Sequence, residues 1–207
     1  MRDVSIGRRQ AVGEYKRELI LEAARRVFET EGLEGASLRA IAARAGYTPA
    51  ALYFHFDSKE QMYGEVLRAS LASLEAAVSD AVHRARSPKA QLRAAAMAFF
   101  GFYAENPREL DLGFYLFRGG MKPTGLGRER DEQLNKALEA ALRPIAQAAV
   151  TLGASQIEAN LLMVATFAHA AGLLLLLHTG RIRMFGACAE ALMEAYVRDQ
   201  IDRLPRS

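Results

Sequence analysis

The chain has 207 residues, enough for one large helical domain or for a small domain continuous with a larger one. Hydrophobic residues make up 51% and charged residues 25% of it, which excludes a disordered chain, and Ala, Leu, Glu and Arg outnumber β-branched residues, which predicts an all-α protein. The net charge of +3 is too small to announce a nucleic-acid partner, and the single cysteine, Cys188, excludes an intrachain disulfide and a multi-cysteine zinc site and fits a reducing cytoplasm.

Arg2, Arg8 and Arg9 come first, in a basic arm without the apolar run of a secretory signal. The arm is expected to be irregular, with Arg8 and Arg9 able to enter a minor groove. Ile20, Ala23, Ala24, Val27 and Phe28 then recur at helical spacing and predict a first helix ending near Gly32. Ser37 is placed to cap a short second helix with the stripe Leu38, Ile41, Ala42 and Ala45, closed by Gly46 in a left-handed turn. Thr48 caps a third helix with Pro49 at its first position, where a missing N–H costs nothing, and this helix runs to about Phe56. Ser58 and Gln61 form a capping box, with Gln61 reaching back to the Ser58 N–H. The pattern Met62, Val66, Leu67, Leu71, Leu74, Val78, Val82 extends the fourth helix over 58–86. Further helices are predicted at 89–105, 108–118, 128–152 with a bend at Pro144, 156–178 and 185–204, with a Gly/Pro loop at 119–127.

A helix-turn-helix lays its second helix in the major groove while the first braces it against the core. In the third helix Leu52 and Phe56 face inward, leaving Pro49, Ala50, Tyr53, Phe54 and His55 to a groove. Adjacent helical residues point about 100° apart, so Tyr53 and Phe54 cannot both be buried along with Leu52 and Phe56. Tyr53 and His55 can donate to phosphates, and Phe54 can touch a thymine methyl. Arg39 and Arg44 on their own read as solvated charges.

The run Leu52-Tyr53-Phe54-His55-Phe56-Asp57-Ser58-Lys59-Glu60-Gln61-Met62, preceded by Ser37-Leu38-Arg39-Ala40-Ile41-Ala42-Ala43-Arg44-Ala45-Gly46-Tyr47-Thr48, closely resembles the TetR family of repressors. The resemblance covers about residues 20–67. It implies a DNA-binding domain at 1–57 and a ligand-binding and dimerisation domain at 58–207, joined by the helix 58–86. It further implies that Ser37, Tyr53, His55 and Lys59 contact backbone phosphates, while Arg39 and the start of the third helix (Thr48, Pro49, Ala50) approach bases. Tyr47 stands where a small aliphatic residue is common in that family, and either adds a phosphate contact or packs on the outside of the first helix. Because Pro49, Ala50 and Ala51 lack long hydrogen-bonding side chains, specificity is expected to lean on Arg39, Phe54 and DNA shape.

For the second domain the resemblance implies a small-molecule effector and a homodimer on a palindromic operator, with no cofactor and no enzymatic activity. Phe99, Phe102, Tyr103, Phe114, Tyr115, Phe117, Met121, Met163, Phe167 and His169 are either the lining of an effector pocket or plain core. Among these Tyr103, Tyr115 and His169 carry polar handles. Arg118 either pairs an acidic effector or caps its helix. The apolar stretch 161–177 approaches the length of a bilayer span, but it is diluted by Ala and Gly, carries His169 in its middle and has no companion span. It is expected to be a helix covered by the bundle or by a second subunit rather than by a membrane. Leu161, Leu162, 173–177, Ala187, Ala191, Leu192, Ala195 and Tyr196 would form that interface. No phosphate-binding glycine loop, nucleophile elbow or metal-ligand spacing among His55, His83, His169 and His178 suggests an enzyme.

Overall fold

The computed structural model describes residues 2–113 and 126–205; Phe114, Tyr115, Phe117, Arg118 and Met121 lie outside the described residues. The regular elements are the helices α1 (Arg2–Gly35), α2 (Leu38–Ala45), α3 (Pro49–Leu52), α4 (Lys59–Arg84), α5 (Pro88–Glu105), α6 (Pro107–Gly113), α7 (Arg128–Thr151), α8 (Gln156–His178) and α9 (Ala189–Arg203), with a 3-10 turn at Arg181–Phe185. The described residues contain no strand, as the composition predicts.

Three boundaries differ from the sequence expectation. α1 begins at Arg2, so the backbone of the basic segment is helical rather than irregular, in a stretch that has no proline to interrupt it. α3 is only four residues long, and the chain from Tyr53 to Phe56 continues as a turn in which the His55 and Phe56 amides both donate to the Leu52 carbonyl at 2.9 Å. The aromatic run 53–56 propagates a helix poorly, and Leu52 and Phe56 are both pinned in the core. α9 starts at Ala189 rather than at residue 185, because Gly186 adopts φ 61° and breaks the helical path after the 3-10 turn. Pro144 sits inside α7 without ending it.

The chain divides into two compact units, one from the described parts of Met1–Ala69 and Asp111–Glu132, the other from those of Ser70–Leu110 and Gln133–Ser207. In the first, the predicted stripe of α1 is fully realised: Ile20, Ala23, Ala24, Val27 and Phe28 are buried together with Ile41, Leu52, Phe56, Met62 and Val66. Phe28 meets Tyr63 edge to face at 4.9 Å, and the Tyr63 hydroxyl donates to the Leu112 carbonyl at 2.8 Å, which satisfies its buried polar end. Gly32, at φ 69°, breaks α1 where the sequence places its end. In the second unit, Leu74 and Val78 of α4, Leu92, Ala95, Ala96 and Phe99 of α5, Ile145 and Ala149 of α7, and Met193 and Val197 of α9 are buried. α8 is stapled at its start by a capping box in which the Ser155 hydroxyl accepts from the Glu158 amide and the Glu158 carboxylate accepts from the Ser155 amide.

Candidate nucleic-acid interface

The turn between α2 and α3 is set by short polar and glycine residues. The Ser37 hydroxyl accepts from the Ala40 amide at 3.1 Å and starts α2. Gly46, at φ 74°, ends it, and the Tyr47 amide returns to the Ala42 carbonyl at 2.9 Å. The Thr48 hydroxyl then accepts from the Ala51 amide at 3.3 Å and starts α3 with Pro49 at its head. In both caps the hydroxyl oxygen is used as acceptor, which leaves its hydrogen to donate elsewhere.

Burial sorts the aromatic run 53–56 as the angular argument requires. Leu52 and Phe56 are 0% and 2% exposed, whereas Tyr53 and Phe54 are 60% and 88% exposed. His55 is half-buried beside them, and Ser37, Arg39, Thr48, Pro49 and Ala50 are exposed, while Tyr47 and Lys59 are half-buried. Neither Arg39 nor Arg44 forms an ion pair among the described residues.

Lys59 has more structural work than its position suggests. Its ammonium donates to the Leu33 carbonyl at 2.9 Å and to the Ala36 carbonyl at 3.4 Å, tying the end of α1 to the start of α4 and leaving one N–H for another acceptor. The cap of α4 also differs in detail: the Gln61 amide donates to the Ser58 hydroxyl at 3.1 Å, as expected, but the Gln61 side chain accepts from the Asp57 amide at 2.6 Å rather than from that of Ser58.

Sequence reasoning missed one cluster here. Arg17 of α1 forms a two-pronged ion pair with Glu65 of α4 and lays its guanidinium over the Phe56 ring, 4.5 Å from the centroid. The hydrogen bonds that Arg17 donates to Glu65 raise its already high pKa further against the opposing effect of burial. The signal available in the sequence was a charge placed one turn before Ile20 on an otherwise apolar face.

In the second unit the candidate effector residues separate. Phe99 stacks edge to face with Tyr103 at 5.4 Å and with Phe167 at 5.8 Å, and Phe102 meets Tyr103 at 5.3 Å. Phe99 and Tyr103 are buried, and burial pushes the Tyr103 phenol well above its ordinary pKa, with the Glu109 charge adding to it. Met163 and Phe167 are half-buried. His169 leaves this group for α9, where its ring stacks on Tyr196 at 4.0 Å and its Nε2 has no hydrogen-bond partner among the described residues. Beside the cluster, a cleft of about 750 Å³ is lined by Ala77, Arg84, Met97, Gly101, Phe102 and Cys188 among others.

The predicted interface residues also divide. Leu162, Leu173 and Leu174 are buried in their own chain, whereas Leu161, Leu175 and Leu192 are exposed. Ile157, Leu161, Val164, Ala165, Ala168, Gly172 and Leu175 lie at successive helical steps and form one exposed apolar face along α8. By length and composition α8 is able to cross a membrane. The described residues hold no group of His, Cys, Asp or Glu that could bind a metal ion.

A family model described as bacterial regulatory proteins, tetR family, matches residues 20–66. The HTH-type transcriptional activator FasR of Mycolicibacterium smegmatis is 38% identical over 87 residues, 42% of this chain and 40% of that protein. The HTH-type transcriptional repressor KstR2 of Mycobacterium tuberculosis is 39% identical over 85 residues, 41% of this chain and 42% of that protein. The matched segment thus spans about two-fifths of the length of these curated relatives. The crystal structure of the transcriptional regulator FadR from Bacillus subtilis in complex with stearoyl-CoA is similar with a TM-score of 0.67 at 14% identity, covering 91% of this chain and 99% of that one, a likeness of fold.

Proposed function

We propose, from the match of residues 20–66 to the model of bacterial regulatory proteins, tetR family, that this chain is a TetR-family cytoplasmic transcription repressor that binds a palindromic operator as a homodimer and is released by a small hydrophobic or aromatic effector. The observation that carries the DNA-binding part is the exposure of Tyr53 and Phe54 on a segment whose neighbours Leu52 and Phe56 are buried. Two adjacent exposed aromatics on a capped turn form a contiguous apolar patch, the kind of surface that marks an interaction site. Ser37, Tyr53, His55 and Lys59 offer donors to phosphates, while Arg39, Thr48, Pro49, Ala50 and Phe54 approach base edges, and Tyr47 borders the same surface. A gel shift with the DNA flanking its own gene tests this reading. The expected result is a shifted band that weakens steeply with salt and resists random competitor DNA; equal competition by random DNA rejects it.

The apolar face of α8 and the exposed Leu192 of α9 support the homodimer, because a second copy covers such a face symmetrically and supplies the paired reading heads that a palindrome needs. The same face makes membrane insertion the competing reading of α8, and cell fractionation separates the two: recovery in the membrane pellet rejects the soluble dimer. For the effector, the cleft beside Phe102 has the size of small-molecule sites. The FadR neighbour, crystallised with stearoyl-CoA, makes acyl-CoA thioesters a first class to screen. Phe99, Tyr103, Met163, Phe167 and His169, with Phe114, Tyr115, Phe117 and Arg118, remain the residues to vary. An effector that binds the native state raises the melting temperature. By this account it acts through α4, which begins in the DNA-binding unit and ends in the other, by favouring a state whose reading heads no longer match the operator.

A further inference from the structure

Arg17 sits one turn before Ile20, on the face of α1 that otherwise packs inward. A cation there must find a counter-charge or leave the apolar surface. It finds Glu65, and the fork of two parallel N–H donors onto one carboxylate fixes the guanidinium plane as well as its position. That plane lies over Phe56 at cation–π distance. Phe56 is the buried residue that closes the 53–56 turn, its amide donating to Leu52. One side chain therefore links α1, α4 and the turn that displays Tyr53, Phe54 and His55.

Resting on the DNA-binding reading above, we infer that Arg17 is a positioning residue for DNA recognition: held by Glu65, it fixes Phe56 and thereby the orientation of Tyr53, Phe54 and His55, without contributing a phosphate contact of its own. The Glu65 carboxylate already neutralises its charge. A direct phosphate contact and a purely global brace make different demands on experiment, so the three roles separate.

The test uses the full-length chain with Arg17→Met, which keeps the stem and removes the charge. Two quantities are read: affinity for the DNA flanking its gene as a function of salt, and hydrogen exchange at the His55 and Phe56 amides. The inference predicts about a tenfold loss of affinity, from the size of a partly desolvated cation–π contact. It predicts an unchanged salt slope, because no phosphate contact is lost, and faster exchange at both amides. An affinity equal to that of the unaltered protein overturns it. So does a slope shallower by about 0.9 for each contact removed, which would make Arg17 a phosphate ligand. Phe56→Leu should reproduce the loss, and the double variant should be no worse than either single one; additive losses contradict the coupling. If Arg17→Met does not fold, Glu65→Gln, which preserves shape and removes the counter-charge, is read in the same way. If the unaltered protein does not distinguish its own DNA from random sequence, the DNA-binding reading fails, and the exchange rates still decide Arg17: unchanged exchange at His55 and Phe56 overturns the positioning role.

Discussion

Two groups of aromatic side chains in this chain meet opposite fates. Tyr53 and Phe54 are 60% and 88% exposed, while Phe99 and Tyr103 are 1% and 5% exposed. The residue types are the same, and the difference comes from the length of the element that carries them. α5, with 18 residues, presents several turns of one face to its neighbours, so Phe99 and Tyr103, four apart, share that face with Leu92 and Ala96. α3, with four residues, has room for one inward position, Leu52, and the turn after it for one more, Phe56. Between those two, Tyr53 and Phe54 point outward and His55 stays half-buried. A short, well-capped element thus converts hydrophobic residues into a display, and a long one converts them into a core.

Substitution in the buried group should give the largest effect. Phe99→Ala is expected to lower the unfolding free energy by about 3–5 kcal/mol, since the ring leaves both lost burial and a cavity among Tyr103 and Phe167. Denaturant unfolding measures it, and a cost below about 1 kcal/mol would mean that the cluster is a loosely filled pocket rather than core. In the displayed group the same chemistry should leave stability nearly untouched. Tyr53→Ala and Phe54→Ala are expected to change unfolding free energy by no more than about 0.5 kcal/mol, while costing about 1–3 kcal/mol in DNA binding. A large loss of stability in either variant would break the contrast.

The caps that hold the display come next. Ser37→Ala should cost about 1 kcal/mol of stability by freeing the Ala40 amide, read as a shift in the denaturant midpoint without a change in slope. The smallest effect is a dependence on pH. Burial pushes the His169 imidazole below its ordinary 6.5, and the Leu192 backbone hydrogen bond offsets this only in part. The native state therefore binds fewer protons than the unfolded chain below that value. Stability should be flat above pH 6.5 and fall as the pH drops from there through the depressed folded-state value. His169→Phe, which keeps a ring against Tyr196, should remove the slope in melting temperature between pH 7 and pH 5; identical slopes in both proteins would show that other groups set it.

How much of this was legible in the sequence follows from the range of the forces involved. Ser37, Gly46, Thr48 and Pro49 act on residues within three or four positions, so the helix-turn-helix could be read directly, while angles alone required only that at least one of Tyr53 and Phe54 be exposed. The helix limits slipped where a local rule met a tertiary one: α3 stops early because Leu52 and Phe56 are both anchored, and Gly186 delays α9. Gln61 satisfies Asp57 instead of Ser58, a choice between two adjacent amides that pattern alone does not decide. Contacts between distant segments left little trace. The Arg17–Glu65 pair joins residues 48 apart, and the stacking of His169 on Tyr196 rather than among the phenylalanines depends on the rotation of α8. The apolar run 161–177 is expected to be covered by the bundle or by a second subunit, and which of the two covers a given side is not legible in the pattern: within one chain α8 keeps one face exposed, because burial is set by which neighbours that chain supplies.

The central claim is that the surface around Tyr53 and Phe54 binds DNA. Fluorescence anisotropy with labelled DNA flanking the gene, comparing the unaltered chain with a Tyr53→Ala/Phe54→Ala variant of matched stability, tests it most directly. The account predicts that the unaltered chain prefers this DNA to a scrambled duplex by at least about a thousandfold at physiological salt, and that the variant loses most of that preference while staying folded. Equal binding of both duplexes, or an undiminished preference in the folded variant, would contradict it.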